Sequence, residues 1–147
     1  MFVIVDIDHT LSDAFWRDSM IGNVPWDEYH EQSKNDKPCK EIIELVNALE
    51  YVGHSIIIVT GRNENHRAIT VQWLIDNNVK VDQLLMRPEG DFTKNGEMKI
   101  RLIKDFFESE SIKDTGEPIL LIDDNEDTIM EFNKLGITTL QVRNVSK

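Results

Sequence analysis

An α/β fold, with a central parallel five-stranded sheet and helices on both faces, is predicted by three observations. Short β-rich apolar runs recur along the 147 residues. Longer amphipathic stretches alternate with them. The runs are nearly continuous in apolar character, as strands buried on both faces should be, instead of alternating with polar residues.

The elements follow in order. Strands are predicted at 2–6 (FVIVD), 55–60 (SIIIVT), 83–87 (QLLMR), 118–122 (PILLI) and 138–142 (TTLQV). The first helix, near 39–52, turns Ile42, Ile43, Leu45, Val46 and Leu49 inward and stops at Gly53. A second, 65–77, carries Ile69, Trp73 and Leu74 at helical spacing, and a third, about 96–108, carries Met98, Leu102, Ile103 and Phe106. The fourth, about 125–135, carries Ile129, Met130 and Phe132 and ends at Gly136. Residues 11–38, with Trp16, Trp26 and Tyr29, fit no long element. They exceed an ordinary strand-to-helix loop and predict a small flap after the first strand. One domain over 1–147 is the expectation.

Composition narrows the function. Twenty-seven acids against 16 Lys plus Arg give a net charge of −11, which disfavours a general polyanion binder. Lys94, Lys99, Arg101 and Lys104 make a local basic run, whose plain reading is a solvated helix face. Cys39 is the single cysteine, so no internal disulfide forms, in keeping with a reducing compartment. The first residues lack the basic flank and long apolar stretch of a signal peptide, and no apolar run approaches membrane-spanning length. A soluble, cytoplasmic protein with no membrane partner is expected.

Ligands on open α/β sheets sit at the carboxyl ends of the strands, and three strands end there in unusual residues. The first runs into Asp6-Ile7-Asp8-His9-Thr10. Two carboxylates so close at the end of a buried strand raise each other's pKa, and a hard divalent cation relieves that cost. A carboxylate facing phosphorus can also attack it. A polar loop with a helix cap would account for the pair equally well. The second strand ends Thr60-Gly61-Arg62: a hydroxyl, a residue that lets backbone amides approach, and a forked cation for phosphate. A helix starting at Asn63 or soon after would add its N-terminal amides. The fourth strand ends Asp123-Asp124-Asn125; a helix cap explains one of those acids but not both. Lys99, on the inner half of the third helix, is placed to offset their charge. All four features fall at one end of one sheet, which a purely structural domain would rarely arrange.

In Asp6-Ile7-Asp8-His9-Thr10, Thr60, Lys99 and Asp123-Asp124 the chain resembles phosphatases of the haloacid dehalogenase-like (HAD) superfamily, over nearly its whole length. More narrowly it resembles the 3′-phosphatase domain of phage and bacterial polynucleotide kinase-phosphatases. The shared pieces are residues 26–38, Ile58-Val59-Thr60-Gly61-Arg62, Trp73-Leu74, Leu84-Leu85-Met86-Arg87-Pro88, and Asp123-Asp124 ahead of Leu135-Gly136. Arg17 stands where that family places a substrate-site arginine. The resemblance implies a HAD-like three-layer sandwich and Mg²⁺ held by Asp6, the Asp8 carbonyl and Asp123, with Asp124 a further ligand or a neighbour of one. It implies Asp6 as nucleophile and Asp8 as acid and base, with Thr60, Gly61 and Lys99 stabilising the phosphoryl group. Arg62 and Arg17 would hold substrate phosphate or order the flap. His9 replaces the family's usual small residue, and no kinase motif G-x-x-x-x-G-K-[ST] occurs.

Three functions stay open at this level. A phosphatase on nucleic-acid 3′ ends is favoured by the short insertion and the basic run. One acting on free nucleoside monophosphates suits the acidic charge, and Trp16, Trp26 or Tyr29 would stack on a base, although packing within the flap is their plainer role. A receiver-like phospho-acceptor would need an acid after the third strand, which ends Met86-Arg87-Pro88 instead.

Overall fold

Alternate residues of the first strand, β1 (Phe2–Val5), go to opposite sides of one sheet. Val3 and Val5 join a core with Ile43, Val46, Trp73 and Leu74. Ile4 joins a second core with Ile103, Ile129 and Phe132. Both faces are therefore dry, which is why the strand reads as continuously apolar. The computed structural model describes residues 1–143; 144–147, the end of the expected domain, lie outside the described residues.

After β1 come β2 (Ser12–Asp13), a 3-10 turn, α1 (Trp26–Glu31), a second 3-10 turn and β3 (Lys37–Pro38). The helix α2 (Lys40–Tyr51) then leads to β4 (Ser55–Asn63), α3 (Arg67–Asp76) and β5 (Gln83–Arg87). The chain continues through α4 (Asn95–Phe107), β6 (Ile119–Asp123), α5 (Glu126–Lys134) and β7 (Thr138–Gln141). The five-stranded sheet has the order β5-β4-β1-β6-β7, all neighbours parallel. β1 is central, with β4 and β6 on either side, so the order reverses at its carboxyl end. The α2 and α3 side chains cover one face, and those of α4 and α5 the other.

All five predicted strands and four predicted helices are present. Three side chains assigned to the core are exposed: Leu45, Phe106 and Met130. Each lies one position beside the inward stripe, and next to Phe106 it is Phe107 that packs, edge-on against Phe2 with centroids 4.9 Å apart. The helix expected soon after Arg62 begins later. β4 stays extended to Asn63, which pairs with Arg87 of β5 across an irregularity after Thr60. A 3-10 turn precedes α3 at Arg67, so the α3 N-terminus is not at Thr60-Gly61. Among the described residues no helix is long and apolar enough to cross a membrane.

Candidate active site

The loop after β1 is tied by its own backbone. Asp6 N–H donates to the Ile122 carbonyl at 3.0 Å, and the amides of Thr10, Leu11 and Ser12 converge on the Ile7 carbonyl at 3.0, 2.8 and 2.9 Å. His9 makes the turn with φ 64°, a conformation His adopts more readily than β-branched residues do.

That turn sets Asp6 against the end of β6. Lys99 donates from Nζ to Asp6 Oδ1 and to Asp123 Oδ2, both at 2.7 Å. The Thr10 hydroxyl donates to Asp6 Oδ2 at 3.2 Å, and the Asn125 amide to Asp123 Oδ1 at 2.8 Å. Lys99 is buried, as are Asp6 and Asp123, so it is no surface lysine of a solvated run. It is positioned by close approach of two helices. Gly96 N–H donates to Asp127 Oδ2 at 2.9 Å, and a Cβ on Gly96 would stand 2.7 Å from Glu131 Cγ and 3.0 Å from the Asp127 carbonyl.

Carboxylate oxygens of Asp6, Asp123 and Asp124 lie within 4.8 Å of one another. Burial and the neighbouring Asp123 push Asp6 well above its ordinary pKa, with Lys99 opposing. Asp124 is raised for the same two reasons. Lys99 loses proton affinity to burial but gains more from Asp123 and Asp6, and stays charged. Three carboxylates against one ammonium leave two negative charges in an all-oxygen donor set. A divalent hard cation fits both the charge and the chemistry.

Asp8 has a different environment. Arg62 grips it through Nη2 to Oδ1 at 2.8 Å and through Nε at 3.2 Å, and Arg17 Nη2 reaches the same Oδ1 at 2.9 Å. Burial would raise the Asp8 pKa, but the two guanidiniums overcome it and hold the carboxyl well below the usual range. Both arginines also hold Asp36. Arg17 forks onto it, Nε to Oδ1 at 2.8 Å and Nη2 to Oδ2 at 2.6 Å, and Arg62 Nη2 reaches Oδ2 at 3.3 Å. Arg17, Arg62 and Asp36 are all buried. Among the described residues, Arg62 Nη1 alone of the Arg62 nitrogens has no hydrogen-bond partner.

Above these groups opens a cleft of about 440 Å³, lined by Asp6, Asp8, Gly61, Lys99 and Asp124 among the residues singled out in the sequence. Thr60, Arg62, Arg17 and Asp123 lie beneath its surface. Thr60 Oγ1 accepts from the Arg62 amide at 3.1 Å. A Cβ at Gly61, within β4, would stand 3.1 Å from Asn95 Oδ1, so any larger residue there would crowd that side chain. Three contributors carried no site role in the sequence. Asp36 sits in the aperiodic 11–38 stretch. Arg87 and Asn95 share a 2.7 Å hydrogen bond at the cleft wall; Arg87 belongs to a motif already noted, and Asn95 stands one turn before Lys99.

A family model of the polynucleotide kinase PNKP phosphatase domain matches residues 1–146. The chain belongs to that family. It is accordingly a phosphatase of the HAD superfamily. No curated protein matches the chain. Among solved structures, it is similar to a chain of the Pnkp1/Rnl/Hen1 complex, with TM-score 0.75 and 24% identity over 95% of this chain and 45% of that one. It therefore spans less than half of that protein. L-2-haloacid dehalogenase from Xanthobacter autotrophicus shares the fold at TM-score 0.69 and 10% identity, covering 99% of this chain and 78% of that one. A predicted phosphatase from Clostridium acetobutylicum does so at TM-score 0.69 and 15% identity, covering 95% and 83%.

Proposed function

We propose that this PNKP-family phosphatase is a Mg²⁺-dependent polynucleotide 3′-phosphatase working through an aspartyl-phosphate at Asp6. The observation that carries the reading is Asp6 itself: a buried carboxylate at the inner end of an open cleft, held between Lys99 and Thr10 beside Asp123. The fold shared with a chain of an RNA repair complex supports a nucleic-acid end as substrate.

The chain's own groups divide the work. An Asp6 carboxylate oxygen forms a bond to phosphorus as the bond from phosphorus to the sugar 3′ oxygen breaks. Asp8 gives that leaving oxygen its proton. Water then attacks phosphorus, passing a proton to the Asp8 carboxylate, and the Asp6–phosphorus bond breaks to release phosphate. The two arginines keep Asp8 ionised at rest, as the second half-reaction needs. The negative charge of an arriving phosphate raises its proton affinity for the first half. Lys99 and the Gly61 amide, on residues that line the cleft, face the charge on the transferring group. Asp6, Asp123, Asp124 and the Asp8 carbonyl would hold Mg²⁺, which supplies positive charge to the carboxylates and the phosphoryl oxygens.

Charge favours a second reading. At −11 the chain suits free nucleoside monophosphates better than long polyanions. Phosphate release from 3′-phosphorylated and 5′-phosphorylated oligonucleotides and from mononucleotides separates the two. Preference for the 3′ oligonucleotide end is expected; preference for mononucleotides would replace that substrate while keeping Asp6 and its metal.

A further inference from the structure

The mouth of the cleft is aromatic. Trp26 and Phe92 both line it, yet Trp26 is 55% and Phe92 88% exposed. A Phe side chain left in water forgoes roughly 1.5–3 kcal/mol of burial. Exposed rings at the opening of a reaction cleft therefore call for an occupant. Asp6 and Lys99 in the same cleft are buried, so the rings stand outside the reacting groups.

Neither ring rides on a loose segment. Trp26 meets Tyr29 edge-on at 5.3 Å and stacks with His30 at 5.9 Å. Tyr29 lies under the Arg17 guanidinium, 4.5 Å from its ring centroid, and its carbonyl accepts from Arg17 Nη1 at 3.3 Å. The Trp26 wall is thus mounted on the guanidinium that grips Asp8. Phe92 is flanked by residues that Arg87 fixes, through Nη1 to the carbonyls of Asp91 at 3.2 Å and Thr93 at 2.6 Å. Burial lowers the His30 pKa to about 4, so near neutrality the ring behind Trp26 is uncharged.

The same cleft offers little to a phosphate backbone. Its Arg87 is spent on Gly61, Asp91, Thr93 and Asn95, and its Lys99 on Asp6 and Asp123. Asp27 adds a carboxylate to the lining, and Asp91 there ties up Arg101.

We propose that Trp26 and Phe92 form a base-stacking subsite, which takes the nucleobase of the phosphate-bearing nucleotide, so that the terminal nucleoside is recognised instead of the strand's phosphates. This rests on the phosphatase reading above. The stack is sequence-tolerant, since every base has a π-face.

The test compares kcat/KM of the full chain with Mg²⁺ on a 3′-phosphorylated oligonucleotide and on the same strand with an abasic tetrahydrofuran terminal residue. A base preference of about tenfold or more is expected. Trp26→Ala and Phe92→Ala should each shrink that preference toward unity, and Trp26→Phe should restore most of it. Circular dichroism verifies that the variants fold. Raising salt from 50 to 200 mM should change kcat/KM by less than about threefold, the effect of at most one phosphate contact. Equal turnover of abasic and normal ends by the unmutated chain overturns the proposal, as does a steep salt dependence. Should only mononucleotides be hydrolysed, the 3′-end reading fails separately. Base preference is then read as 3′-nucleotide against deoxyribose 3-phosphate, with the same two outcomes.

Discussion

Asp36→Ala removes the carboxylate that two buried arginines share. In the intact chain the fully buried Asp36 side chain accepts from Arg17 Nε and Nη2, Arg62 Nη2, Trp16 Nε1 at 2.8 Å and Ser12 Oγ at 3.3 Å. Without it, two guanidiniums with no exposed surface have Asp8 as the one carboxylate they both reach. Breaking a buried ion pair from one side costs about 3–5 kcal/mol. That is a large share of the roughly 5–15 kcal/mol that holds a domain together. For a chain of this length it corresponds to a fall in Tm of about 6–20 °C. Asp36→Asn keeps an acceptor in place and should lose less. Thermal unfolding followed by circular dichroism reads the effect directly. A shift under about 2 °C for the alanine variant would refute the claim that Asp36 neutralises the arginines, and would leave Asp8 as their sufficient partner.

Other expectations follow from the same geometry. Asp6→Asn should cut turnover at least about 10³-fold while leaving metal-free Tm unchanged or raised, because it relieves repulsion with Asp123; steady-state kinetics and a melting curve check both. Lys99→Met should lower turnover about 10²–10³-fold, and Mg²⁺ should raise its Tm more than it raises that of the unmutated chain, since the ion replaces the missing charge. Folding raises the pKa of Asp6 and Asp124. Their contribution to metal-free stability is thus fully present below the unfolded value near 4 and is lost as pH rises through the folded values. Denaturant titrations in EDTA at pH 5 and pH 8 should show that decline, smaller in the Asp6→Asn variant, which keeps only the Asp124 part, and Mg²⁺ should abolish it at pH 8. Asp8, held low by its arginines, works in the opposite sense: its contribution is present above the unfolded value and disappears in acid.

The sheet was legible because burial on both faces leaves a direct mark on a strand: an unbroken apolar run. Strand ends were legible too, since Asp6, Asp8, Asp123 and Asp124 have no structural reason to follow such runs together. Helix stripes were read one position too wide. A stripe shows which side faces in, but Leu45, Phe106 and Met130 sit at its margin, where only the neighbouring element decides. The 11–38 stretch was opaque. Its fold is set by Asp36 reaching Arg17 and Arg62, 19 and 26 positions away, and no local period records such a contact. The aromatic residues there split for the same reason. Tyr29 is buried under Arg17 in the cleft wall, and Trp26, three positions earlier on α1, stands exposed at the cleft's mouth.

The central claim is a covalent bond between Asp6 and phosphorus. Its most direct test is peptide mass mapping after borohydride reduction of the Mg²⁺-loaded chain during turnover of a 3′-phosphorylated oligonucleotide. An acyl phosphate at Asp6 would be reduced to homoserine at that position, and no such product should form without Mg²⁺. Steady phosphate release with Asp6 unmodified, or reduction at another carboxylate, would contradict the account.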